Sequence, residues 1–400
     1  MTDLELRQAL AELCGQRSDA EPVVTLYLDT HWSDEKQRER ARVFVQESVK
    51  RAIDRHVGHP RRDAIARTLG RVAKAAGALI AEESERAPRG LAVFACEALK
   101  LWRVLTTSQP FRDELCLDGC PHLLQLARLA DDVEPAIIAF VHAEGVHFYE
   151  VALGDIVNEA AVEPRAPGAS GSEMHRVEGE ERKQHLHRER TFRAAAQFLE
   201  RLHERAPRAH IVLVGTGEVV AAFEKHLSER ARHRVLARQP RPPGKGCWNG
   251  NGKRALVARA VDQIVAHERA AEAGAVEHAV GEALRGGMAV LGPEDVVLAV
   301  NERRVQRLIL EEDFARSGWS CRNCGALGTT HGLSCSFCQG PLARVEALGE
   351  ELIQRVLSED GDVEVVAHTN RLHSYAGVAA LLRQMRPRGL SGIEQPARPE

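Results

Sequence analysis

No run in these 400 residues approaches the ~20 consecutive apolar side chains that a membrane-spanning helix needs. The opening residues Met1-Thr2-Asp3-Leu4-Glu5 form neither a basic n-region nor an apolar h-region. The expectation is a cytoplasmic chain with no signal peptide and no membrane contact. A Walker lysine-Ser/Thr pair and a full dinucleotide fingerprint are also missing, so Gly215-Thr216-Gly217 reads as a strand-to-helix turn, not a nucleotide loop. Charge of one sign is not in excess: the formal net charge is −3, which excludes a general polyanion sponge and confines nucleic-acid contact to local patches. Lysine is scarce, 8 against 46 arginines. Arginine suits bidentate phosphate contacts, but a GC-rich genome gives the same bias, so this carries little weight.

Nine cysteines are present, and four of them cluster. That distribution fits a reducing compartment better than a disulfide scaffold. Cys321, Cys324, Cys335 and Cys338 are spaced C-x2-C-x10-C-x2-C. Each C-x-x-C pair is a tight knuckle that aims two thiolates at one ion, and two knuckles close a tetrahedral all-sulfur site. The expected cofactor is one structural Zn²⁺ per chain, in a zinc ribbon over residues 319–342. No coordination position is left for water or substrate, so no catalytic residue is assigned. Cys116 and Cys120, in Cys-Leu-Asp-Gly-Cys, read as ordinary thiols and not as a second metal site.

The pattern of apolar periods predicts an α/β fold of three consecutive α/β domains, at 1–131, 132–264 and 265–400. In the first, Val23–Leu28 is a strand, 35–56 and 64–85 are helices, and 91–96 and 102–106 are strands. Arg38, Arg40 and Arg42 read as a solvated helix face. In the second, 136–141 and 145–151 flank a hairpin turn and 155–162 supplies a third strand. A Pro/Gly-rich tip loop, 163–179, precedes a long helix at 180–205, a buried strand at 211–214 and a helix at 218–230. A helix over 254–284 leads to the third domain. It is read as a small sandwich of strands 288–291, 305–310 and 363–367 and helices 293–301, 346–357 and 375–385, with the ribbon inserted after its second strand.

Two stretches concentrate positive charge. Arg232 to Arg254 holds Arg232, Arg234, Arg238, Arg241, Lys245, Lys253 and Arg254 with no acidic residue. It reads as an irregular loop with no local neutralisation and with Trp248 as a stacking plane for RNA; a basic connector is the alternative. The tip and following helix offer His175, Arg176, Arg182, Lys183, Arg188, Arg190 and Arg193, diluted by Glu178, Glu180, Glu181 and Glu189. A salt-bridged exposed helix explains these equally well. His185 and His187 stand two apart and face different sides, which argues against a shared metal.

Around the cysteines, several motifs stand in order. Gly287 to Val296, with Ala299, precedes Arg304-Val305-Gln306-Arg307-Leu308-Ile309-Leu310. After the knuckles come Glu350-Glu351-Leu352-Ile353, Val363-Glu364-Val365-Val366 and Gly377-Val378-Ala379-Ala380-Leu381-Leu382-Arg383. Over roughly 265–385 this resembles the third domain of archaeo-eukaryotic class I release factors and Pelota, a ribosomal-protein-like sandwich, here carrying the ribbon. The resemblance implies a bacterial translation factor with the ribosome, its rRNA and peptidyl-tRNA as partners, and a translational GTPase such as elongation factor Tu.

Release factors of that family hydrolyse peptidyl-tRNA through Gly-Gly-Gln at the central tip, and no Gly-Gly-Gln occurs in this sequence. The corresponding loop reads Pro167-Gly168-Ala169-Ser170-Gly171-Ser172-Glu173-Met174-His175. Gln184 has no glycine pair beside it. The resemblance therefore implies a non-catalytic A-site occupant for hibernation, stress or rescue. Two alternatives stay open: peptide release through a non-standard tip with Ser170, Ser172 and His175, and a zinc-ribbon RNA-binding protein unconnected to ribosomes.

Overall fold

The computed structural model describes residues 3–32, 34–82, 88–132, 135–152, 155–163, 177–240, 250–367 and 370–383. The chain divides into two compact units, Met1–Ala271 and Glu272–Glu400.

The first unit opens with α1 (Asp3–Leu13), β1 (Val23–Asp29), α2 (Glu35–Arg55), α3 (Arg62–Ile80), β2 (Gly90–Cys96), β3 (Leu101–Thr107), β4 (Glu114–Asp118) and α4 (Leu124–Asp132). Its sheet is antiparallel, in the order β3-β2-β1-β4. Alternation sends Val24, Leu26, Leu28, Leu91, Val93 and Ala95 to one face, where they pack with Val45, Ile65, Leu69 and Val72 of the two long helices. Leu115 and Leu117 of the edge strand join the same core. On the opposite face Tyr27 meets Phe94 edge-on at 5.8 Å and Phe111 at 4.9 Å. Asp34 caps α2 by accepting from the Gln37 backbone N–H at 2.8 Å. The helix expected over 64–85 stops at Ile80, and β4 and α4 are elements the apolar pattern did not announce.

Next come β5 (Ala136–His142), β6 (Gly145–Ala152), β7 (Asp155–Val162), α5 (Val177–Arg205), β8 (His210–Gly215), α6 (Gly217–Glu224), α7 (Glu229–His233), β9 (Val235–Pro240) and α8 (Gly250–Leu284). The sheet order is β7-β6-β5-β8-β9, with β5, β8 and β9 parallel and the rest antiparallel. One face packs Ile137, Phe148 and Leu213 against Phe192, Leu199 and Leu202 of α5 and Phe223 of α6. The other packs Ile138, Phe140, Tyr149 and Val212 against Val257, Ala260 and Ile264 of α8. Both faces being covered explains why β8 reads as a continuous apolar run. Gly215 is a packing requirement: a Cβ there would lie 2.6 Å from the Val141 carbonyl oxygen. The single helix expected over 218–230 is two short ones, because Ser228 caps a new start by accepting from the Ala231 N–H at 3.1 Å.

The second unit contains the end of α8, β10 (Ala289–Leu291), α9 (Pro293–Asn301), β11 (Val305–Glu311), β12 (Gly318–Cys321), β13 (Leu327–Gly328), β14 (Leu342–Val345), α10 (Leu348–Ser358), β15 (Asp362–Val366), α11 (Asn370–His373) and β16 (Val378–Leu382). Its main sheet runs β10-β16-β11-β15, with β11 and β15 parallel. Ile309, Val366 and Ala379 pack with Val276, Ala279 and Val280 of α8. The helix expected over 375–385 is instead β16, a central strand. Val378-Ala379-Ala380-Leu381-Leu382 is apolar on both faces because both faces of this strand are packed, and such a run carries neither a helical nor a strand period. A separate three-stranded sheet, β13-β12-β14, lies between β11 and α10 in the chain.

Candidate functional site

The three-stranded ribbon sheet positions the four cysteines. Cys321 ends β12, and the chain turns at once through Gly325, whose φ of +74° favours glycine. The Asn323 and Cys324 backbone N–H groups donate to Cys321 Sγ at 3.4 and 3.5 Å. The second knuckle repeats the device: the Phe337 N–H donates to Cys335 Sγ at 3.4 Å, and Gln339 turns with φ +61°. The two knuckles meet with Cys321 Sγ 3.4 Å from Cys338 Sγ and Cys324 Sγ 3.6 Å from Cys335 Sγ. All four sulfurs lie within 4.8 Å of one another. Sulfurs about 2.3 Å from a tetrahedral zinc stand ~3.8 Å apart, so the donor set fits that ion.

Hydrogen bonding already biases these thiols. The Asn323 side chain, donating to Cys338 Sγ at 3.4 Å, and the Gly340 N–H bring Cys338 down to about 6. Backbone donors at Cys338 and Phe337 lower Cys335. Cys324 keeps the proton: a backbone bond at Ala326 draws it down, but the sulfur of Cys338, burial and the other two thiols push it up to about 12.

The spacing gave no hint of the residues that support this cluster. Asn301 of α9 clamps β13, donating to the Leu327 carbonyl at 2.9 Å and accepting from the Leu327 N–H at 2.8 Å. The Arg355 guanidinium of α10 donates to the Gly325 carbonyl. The Trp319 and His331 rings meet at 4.2 Å with their planes tilted by 59°. Beyond the sulfurs, Leu333 is fully exposed and Phe337 is 56% exposed.

The basic candidates whose side chains are described fall on two elements, α5 and the α7–β9 segment. On α5, Arg190 and Arg193 are exposed and Arg188 is half-buried, near His185 Nδ1 at 3.4 Å. Glu189, expected to dilute this face, pairs with His226 Nε2 at 3.1 Å. The helical backbone includes Arg182 and Lys183, whose side chains lie outside the described residues, as do His175 and Arg176.

The stretch from Arg232 differs from the loop expected there. Residues 229–233 are helix and 235–240 are the parallel edge strand β9. Acid-free in sequence, its described arginines find partners in space. Arg238 pairs with Glu224 (2.5 and 2.8 Å). Arg232 donates to the Glu224 and Lys225 carbonyls at the end of α6, both at 3.0 Å. Arg234 is half-buried near His203. Arg241, Lys245 and Trp248 lie outside the described residues, as do the side chains of Lys253 and Arg254 in α8.

No curated protein matches the chain. Among solved structures, an archaeal translation termination factor is 16% identical over 96% of this chain and 98% of its own, with a TM-score of 0.26. Pelota of Archaeoglobus fulgidus is 19% identical over 74% and 78%, with a TM-score of 0.33. A ribosome-bound archaeal Pelota is 15% identical over 96% and 94%, with a TM-score of 0.39. Residues 121–264, which include the second sheet and α5, match bacterial archaeo-eukaryotic release factor family 10. Over that segment the chain is similar to the release-factor superfamily.

Proposed function

We propose that this translation-factor relative binds the ribosomal A site and protects, splits or rescues ribosomes without hydrolysing peptidyl-tRNA. The observation that carries the reading is the family match over 121–264 in a chain that holds no Gly-Gly-Gln. The matched segment spans residues 163–179, read from the sequence as the counterpart of the loop that carries that tripeptide. Exposed Arg190 and Arg193 on α5 are the side chains offered to rRNA phosphates. The cysteine quartet, closed by four sulfurs, holds Zn²⁺ as a structural ion and shapes a protein surface. The soluble partners of this reading are the ribosome and a translational GTPase.

Sedimentation of lysate through a sucrose gradient tests binding: the protein is expected with ribosomes at low salt and at the top of the gradient at high salt. Its presence only in the top fractions at low salt contradicts the proposal. Incubation with ribosomes carrying peptidyl-tRNA is expected to leave the peptide attached. Released peptide would instead establish the enzymatic alternative, hydrolysis through the 163–179 tip.

A further inference from the structure

We propose that Glu114, Cys116 and His122 form a second metal site, separate from the ribbon, that takes a borderline-soft divalent ion such as Zn²⁺. One donor atom from each lies within 4.8 Å of the other two. Strand alternation creates the cluster. Glu114, Cys116 and Asp118 share the face of β4 opposite Leu115 and Leu117, which are packed in the core. On that face Cys116 Sγ is 3.1 Å from Glu114 Oε1.

His122 is delivered to the cluster by a fixed backbone. Its N–H donates to Thr25 Oγ1 at 3.1 Å, and its carbonyl accepts from the buried Tyr27 hydroxyl at 2.8 Å. Two of the donors are also held from outside. His122 Nε2 is 3.3 Å from Asp118 Oδ2, and Asp118 Oδ1 accepts from the Gly119 N–H at 2.7 Å. Glu114 Oε2 accepts from Gln125 Nε2 at 2.7 Å, and Gln125 Oε1 accepts from the Arg112 N–H at 2.9 Å. Carboxylates and amides that orient the ligands in this way accompany metal-binding histidines and carboxylates generally.

A thiolate, an imidazole and a carboxylate together suit zinc or cobalt and not a hard ion such as Mg²⁺. Without metal, the Cys116 thiol donates to Glu114. On binding, that proton passes to solvent and the sulfur bonds the ion. Three protein donors leave one tetrahedral position for water or an added ligand, whereas the ribbon quartet leaves none.

The full chain, purified reduced and assayed by elemental analysis, tests this. Cys116→Ala is expected to lose about one ion per chain relative to wild type, whatever the ribbon holds. A ribbon-defective Cys335→Ser/Cys338→Ser chain is expected to bind one Co²⁺ with tetrahedral visible bands and the weak charge transfer of a single thiolate. Glu114→Gln, nearly isosteric at a half-buried position, keeps the test independent of folding and is expected to weaken metal retention about tenfold or more. Unchanged metal content in Cys116→Ala, wild-type retention in Glu114→Gln, or no cobalt bands in the ribbon-defective chain would each overturn the site. Because the ribbon is altered separately, its failure to bind metal is distinguishable from failure here.

Discussion

Replacing Gly340 with alanine adds one methyl group at a residue that is no metal ligand, yet it is expected to loosen the cysteine quartet. A Cβ at this position would lie 2.7 Å from Asn323 Cβ and 3.2 Å from both Cys321 Sγ and Cys338 Sγ. Gly340 is not among the positive-φ residues, so alanine can adopt its backbone and the cost is purely steric. Asn323 cannot yield freely, because its amide donates to Cys338 Sγ at 3.4 Å and its N–H to Cys321 Sγ. Overpacking of this kind costs about 1–3 kcal/mol. At 1.4 kcal/mol per tenfold, the zinc should be held roughly 5- to 150-fold less tightly. Chelator competition measures this directly. Gly328→Ala is the control: its nearest neighbour would be 3.8 Å away, and its effect should stay within about 0.5 kcal/mol. Gly340→Ala with wild-type retention would refute the packing of these sulfurs around one ion.

Phe192→Ala removes a fully buried ring set edge-on to Phe223 at 5.6 Å, and should cost about 3–5 kcal/mol in denaturant unfolding of the first unit. A loss below 1 kcal/mol would contradict α5 as the cover of that sheet. His203 is 1% exposed with no hydrogen-bond partner for either ring nitrogen among the described residues, and burial, then Arg230 and Arg234, lower its pKa. The unfolded chain then binds the extra proton, so stability is full above the ordinary value of about 6.5 and falls as pH drops below it. His203→Leu should flatten that acid-side decline; an unchanged thermal-melt pH profile would exclude His203 as its source. Arg190→Ala/Arg193→Ala should reduce the salt slope of ribosome binding by roughly 1.4–1.8, two phosphates at 0.7–0.9 each. Arg238→Ala, which removes the exposed partner of the pair with Glu224, should cost about 1 kcal/mol of stability and leave the slope unchanged. The reverse ranking of these two variants would move the RNA contact to β9.

Strands with two covered faces were legible where turn chemistry bounded them. Val23–Asp29 and His210–Gly215 follow the apolar runs within a residue or two. The same kind of run misled at 378–382, because Gly377, with φ +75°, starts a strand there and not a helix. Residues 114–118 alternate Glu, Leu, Cys, Leu and Asp, and the polar members concealed a half-buried strand. The cysteine spacing was enough to locate the ribbon. Its supports were not legible: Asn301 lies 26 residues before Leu327, and Arg355 lies 30 after Gly325, distances that no local pattern spans. The partner of Cys116 was likewise hidden in its spacing to Cys120, since the relevant neighbours are Glu114 on the same strand face and His122 across the following turn.

Charge in a sequence window is not charge in space, and the two basic stretches show how far they diverge. Between Arg232 and Arg254 no acid occurs, but α6 is folded alongside and offers Glu224 and the carbonyls at its own C-terminus. That helix end carries partial negative charge, which an arginine stabilises. For Arg232 or Arg238 to engage a phosphate, it must first give up these bonds, and the gain is reduced by that loss. On α5 the window looked weaker because Glu189 interrupts it. Glu189, however, turns toward His226, while Arg190 and Arg193 point to solvent. Among the described residues, the stretch diluted in sequence is therefore the one proposed to meet phosphate, whereas Arg232 and Arg238 are engaged in tying α7 and β9 to α6.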